Sequence, residues 1–207
     1  MNMKKILLIF AIAMFATELS FGQFALGLKI GYNANKLSTN LDTVKSQFNS
    51  GFHVGLWTHI GKRFYVAPEL LYTMSGAVFT GSGKLSTSGW KQKVTMGSLD
   101  IPVMIGFKII HSDIFTWRVE VGPEVSFLVN SKVKNLNDIT GPIQSADLSK
   151  ANWYVLGGSG IDVLFMSFDI RYSYGLTKLI KDAQTWQFDT KNGMFLISVG
   201  FRVFGSK

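Results

Sequence analysis

The residues best able to do chemistry are a set of ionisable side chains spaced through apolar segments. They are Lys29, Glu69, Asp100, Lys108, Arg118, Glu120, Glu124, Asp162, Asp169, Arg171 and Arg202. Brought together in an enclosed space, such a set can do one of two things. It can relay protons or ions along a path, or it can neutralise itself as an ion-pair network. The near balance of signs favours the network, because an unpaired buried charge is very costly. Other chemistries find less support. His53 and His59 lie about 20 Å apart on an extended chain, too far to share a metal ion, and His111 has no partner at a ligand spacing. The chain has no Cys, which excludes disulfides, thiolate metal sites and thiol catalysis. No nucleophile elbow is present. A serine for His53 would have to come from a loop, as Ser46 or Ser50 could, so no enzyme activity is expected. Gly81-Ser82-Gly83 and the Gly157–Gly160 stretch lack the context of a phosphate loop. No cofactor or metal site is expected.

The elements that must position the charged set are strands. From Phe24 onward the hydrophobic period is two. Strands are expected over 24–33, 51–60, 64–74, 99–108, 117–127, 153–163, 168–174 and 195–203. The clearest sets Trp117, Val119, Val121, Val125 and Phe127 against Arg118, Glu120, Gly122, Glu124 and Ser126. On each strand the charged residues fall on the face opposite the apolar one. Strands of about ten residues are long enough to cross a bilayer when tilted. The connections alternate long and short: 34–50, 61–63, 76–93, 110–114, 130–150, 164–167 and 178–191. Outer-membrane barrels have this order, with long loops outside and short turns in the periplasm. Aromatics mark two rims: Tyr32, Tyr72, Trp153, Tyr172 and Tyr174 toward the long loops, Phe24, Phe64, Phe107, Trp117 and Phe201 toward the short turns. Pro68, Pro102 and Pro123 fall inside strands, where each removes a ladder hydrogen bond, and they are read as bulges or strand ends.

Lys4 and Lys5, the apolar run Ile6–Ala16 and small Ser20 and Gly22 have the layout of a secretion signal over 1–22, leaving 23–207 as a single barrel domain. The net charge is +8 with a pI near 9.6. The basic residues are scattered, and a secreted chain does not meet nucleic acid, so none is expected as a partner.

Five pieces recur in order along the chain: Tyr65-x-x-Pro68-Glu69-Leu70-Leu71-Tyr72, Leu99-Asp100-Ile101-Pro102-Val103, Gly158-x-Gly160, Arg171-Tyr172-Ser173-Tyr174-Gly175-Leu176 and Val199-Gly200-Phe201-Arg202. Together they resemble the PorT-like outer-membrane β-barrel family of Bacteroidota. The resemblance implies an outer-membrane barrel, and it implies no particular activity.

The expected fold is therefore all-β: an eight-stranded antiparallel up-and-down transmembrane barrel in the outer membrane. Its lumen is expected to be filled by the ion-pair network, and its role to be structural or one of surface interaction through the long loops. Outer-membrane lipid surrounds it, and a protein or glycan partner is expected at those loops, where Trp90 and Trp186 stand out as possible contacts. A closed barrel needs no partner for its edges, so a monomer is expected. The alternatives are a soluble lipocalin-like barrel, with the apolar face inside around a ligand, and a narrow channel. Alternation alone does not say which face points inward.

Overall fold

The computed structural model describes residues 23–38, 44–47, 49–83, 86–136, 149–177 and 191–205. They form β1 (Phe24–Ser38), β2 (Val44–Gln47), β3 (Asn49–Gly61), β4 (Phe64–Gly83), β5 (Ser86–His111), β6 (Phe115–Asn135), β7 (Ala151–Val163), β8 (Met166–Gly175) and β9 (Lys191–Gly205). Every pairing is antiparallel, and β1 pairs with both β3 and β9 while β4 pairs with both β3 and β5. The sheet therefore closes on itself. β2 prolongs β3 along the same edge of β4, so the ring has eight strands. The signal segment 1–22 lies outside the described residues.

Alternation sorts the two faces as the periodicity implies. On β1, Leu28 and Ile30 are 52% and 54% exposed, whereas Lys29 between them is 2% exposed. β6 repeats the pattern from Phe115 to Phe127. The apolar face points outward, which is the reverse of the lipocalin-like alternative. A belt of Leu, Ile, Val and Phe exposed all around a closed barrel is stable only against lipid. Tyr32, Trp153, Tyr172 and Tyr174 are exposed at its long-connection end, and Phe24, Phe64, Trp117 and Phe201 at its short-turn end.

The prolines differ from expectation. None sits at a bulge or a strand end. The β3–β4 ladder skips Thr58 and Pro68, the β4–β5 ladder skips Pro102, and the β5–β6 ladder skips Pro123, yet the register continues unchanged across each gap. A hydroxyl repairs one gap, since Thr58 Oγ1 donates to the Pro68 carbonyl at 2.8 Å.

The long connections differ more. The segment 76–93 is no loop: β4 and β5 stay paired from Ser75–Met96 up to Gly83–Ser86. β6 likewise continues to Asn135, paired with Gln92. β2, β4, β5 and β6 thus rise together beyond the aromatic rim as a sheet extension. Outside the bilayer a strand needs no continuous apolar face, because backbone pairing suffices. Polar composition alone therefore could not distinguish this extension from a loop.

Candidate functional site

The interior is narrow, and glycines decide which large side chains fit. A Cβ on Gly106 would lie 2.0 Å from the Tyr65 ring, and one on Gly27 would lie 2.5 Å from Trp57. Trp57 fills the space over Gly27 and Gly200 and donates its indole N–H to the Leu28 carbonyl at 3.0 Å. Gly160 leaves room for the Arg118 guanidinium.

Three cations and four acids meet at mid-height. Lys29 Nζ lies 2.7 Å from Glu69 and 3.0 Å from Asp169. Arg171 donates to both oxygens of Glu69, at 2.8 and 2.7 Å, and to Glu120 at 2.5 Å. Arg118 pairs with Glu120 at 2.8 Å, with Asp162 at 3.2 Å and with Asp169. Hydroxyls take up the remaining positions: Ser167 accepts from Arg118 at 2.8 Å, and Tyr65 donates to Glu120 at 3.0 Å. These side chains come from β1, β4, β6, β7 and β8. They tie opposite walls together.

Not all of the sequence-selected charges join. Lys108 is buried at the short-turn end, beside a cavity of about 30 Å³ that Asp162 and Trp57 also line. Arg202 departs from expectation. It is only half-buried, at the short-turn rim, and donates to the Leu164 carbonyl at 3.0 Å instead of to a carboxylate. The ladder places it opposite Gly27, just beside the bulge at Leu26, where β1 and β9 are ending. Asp100 and Glu124 are buried on β5 and β6 toward the long-connection end, outside the ion pairs.

His53 finds a partner that sequence spacing did not suggest. Its Nε2 lies 2.8 Å from Ser198 Oγ, reaching over Gly31 of the intervening β1, and its Nδ1 has no hydrogen-bond partner. A nucleophilic triad needs an acid on that second nitrogen. His111, at the end of β5, lies 3.2 Å from the Thr116 hydroxyl. No cluster of three or more potential metal ligands of the His, Cys, Asp or Glu type occurs among the described residues.

The extension carries a feature the sequence reading missed. Lys93 on β5 stands opposite Lys134 on β6, and Lys132 stands opposite Thr95. All three lysines are exposed, while Gln92, Val94 and Met96 are buried on the other face. The row begins two residues beyond Asn130, whose side chain donates to the Tyr72 hydroxyl at the rim. The signal was present as Lys91-x-Lys93 and Lys132-x-Lys134, a period of two continuing past the apolar band. Trp90 lies on β5 opposite Gly81, in a strand and not a loop. Trp186 lies outside the described residues.

A family model described as outer membrane protein beta-barrel domain matches residues 15–181. Among solved structures, the chain is similar to Ail, the attachment invasion locus protein of Yersinia pestis, in complex with the heparin analogue sucrose octasulfate. The two are 14% identical over 87% of this chain and 98% of that one, with a TM-score of 0.43. It is similar to the outer membrane protein OprG from Pseudomonas aeruginosa, at 12% identity over 89% and 95% of the two chains and a TM-score of 0.49. It is also similar to Neisserial surface protein A, at 9% identity over 86% and 96% and a TM-score of 0.46. Likenesses at such identities concern the fold alone. No curated protein matches the chain.

Proposed function

The chain belongs to the outer membrane protein beta-barrel domain family and resides in the outer membrane, and from that premise we propose a closed barrel that acts at the cell surface by engaging an anionic glycan. The long-connection end faces outward and the short turns face the periplasm. Within the family the chain stands with the PorT-like barrels, on the ordered pieces around Pro68, Pro102, Gly158, Arg171 and Gly200. It is secreted by way of residues 1–22, matures from Gln23, and acts as a monomer.

One observation carries the proposal: the paired lysines of the extension. Like charges directly opposite on neighbouring strands are destabilising. Lys93 and Lys134 nevertheless face each other, with Lys132 beside them, and none makes an ion pair among the described residues. A polyanion laid across the two strands neutralises all three at once. The heparin analogue bound by Ail is a ligand of this class. The ion-paired interior supports a lumen that holds the walls apart and conducts nothing.

The test is retention on immobilised heparin. The full chain in detergent micelles is compared with a Lys93→Gln/Lys132→Gln/Lys134→Gln variant. The wild type is expected to elute at clearly higher salt, since each lost contact lowers the salt dependence. Identical elution of two well-folded barrels refutes glycan binding at this face.

A further inference from the structure

Asp100 and Glu124 are buried carboxyl groups for which no cation of the protein forms an ion pair among the described residues. They are 4% and 3% exposed. The ladder pairs Asp100 with Ser126 and Pro102 with Glu124, so the two carboxylates project from diagonal positions on one face of the β5–β6 pair. Diagonal neighbours lie about 7–8 Å apart at the backbone, close enough for both side chains to converge on one atom between them.

The nearby cations are committed elsewhere. Arg171, whose field reaches Glu124, spends its Nε on Glu120 and both Nη atoms on Glu69. Lys29 and Arg118 are held by Glu69, Asp169, Glu120 and Asp162. Three cations already face four acids there, so that network has no positive charge to spare. Lys108 lies by the cavity at the opposite end. No ion pair to Glu124 or to Asp100 occurs among the described residues, and Asp100 is met by hydroxyls alone, Ser126 at 2.5 Å with Thr73 and Ser98 beside it.

Both carboxylates line a cavity of about 30 Å³, together with Thr73, Ser98, Ser126, Asn152 and Tyr154. That is room for about one or two water-sized species. The Thr73 hydroxyl is an independent sign of a missing occupant. It is 2% exposed, lines the same cavity, and has no bond beyond a long contact to the Asp100 carboxylate itself. A buried hydroxyl without a close partner costs free energy that a ligand in the cavity would recover.

We propose that Asp100 and Glu124, with the hydroxyls of Thr73 and Ser126, form a cation site in the long-connection half of the lumen. The donors are all oxygen, two of them anionic, which selects a hard cation over one that prefers nitrogen or sulfur. Ca²⁺ fits best, because it accepts irregular oxygen sets completed by water where Mg²⁺ demands a regular octahedron. The bound ion joins β4, β5 and β6 just where they rise out of the bilayer as the extension.

Terbium luminescence tests the site on the full barrel in detergent. Tyr154 lines the cavity and stands opposite Glu124, placed to sensitise Tb³⁺ on excitation of tyrosine. Emission is expected to saturate at one Tb³⁺ per barrel and to be displaced by CaCl₂. An Asp100→Asn/Glu124→Gln variant is expected to lose at least ten-fold in Tb³⁺ affinity while keeping its heat-dependent gel mobility, and Thr73→Val to lose less. CaCl₂ is also expected to raise the melting temperature of the wild type and not of the double variant. Emission that survives in the double variant places the ion elsewhere and overturns the proposal. Absence of both saturable emission and a Ca²⁺-dependent melting shift in the wild type also overturns it, and means that the pair is neutralised by protons.

Discussion

Arg171 on β8 grips both carboxylate oxygens of Glu69 on β4, a residue 102 positions earlier in the chain. Around the ring these strands stand opposite each other, so the pair spans the lumen. The contact is bidentate, which fixes orientation as well as distance. It forms only once the sheet has closed, and it therefore couples closure to charge neutralisation.

Breaking the pair from one side should be severe. Arg171→Met leaves Glu69 and Glu120 short of a buried cation, and a loss of about 3–5 kcal/mol is expected. Glu69→Gln should cost less, because Lys29 retains Asp169. The Glu69→Gln/Arg171→Met double variant should show a coupling energy of at least about 1 kcal/mol in urea unfolding from detergent. Simple additivity of the single effects would mean that the two residues do not act as a unit.

Gly106 is required by Tyr65. A methyl group there would meet the ring at 2.0 Å, and the Tyr65 hydroxyl is anchored to Glu120. Gly106→Ala is expected to destabilise the barrel by about 1–3 kcal/mol through overpacking. Tyr65→Ala in the same chain should remove the clash. If Gly106→Ala unfolds at the same urea concentration as wild type, the interior is looser than the structure shows.

The proposed closed lumen rests on Arg118, Arg171 and Lys29 and their acids, which pair across its interior. In planar bilayers the purified protein is expected to show no steady conductance. A reproducible open level in most insertions would show that the network rearranges into a path.

Trp90 and Trp186 offer a second kind of surface contact. If a protein or glycan partner is anchored by these aromatics, Trp90→Ala/Trp186→Ala should weaken its binding about ten-fold or more, as interface anchors do. Barrel assembly, read from heat-dependent gel mobility, should not change. Unaltered binding would leave the lysine face as the contact.

The sequence by itself determined the strand count, the faces and the class of fold. These depend on a two-residue period, which a bilayer enforces on every spanning strand because lipid tolerates no charge on the outer face. Ser167, Tyr65 and Trp57 illustrate what it could not give. Tyr65 reaches Glu120 and Ser167 meets Arg118 two strands away around the ring, while Trp57 donates to Leu28 on the neighbouring strand, and period says which face a side chain occupies but not what it meets there. Only closure with its particular registers assigned Arg171 to Glu69, left Arg202 at the rim, and set Asp100 and Glu124 apart from every bonded cation. The extension was hidden for the opposite reason. Beyond the aromatic rim the lipid no longer selects apolar residues, so 76–93 reads as a loop until backbone pairing reveals two strands and an outward row of lysines.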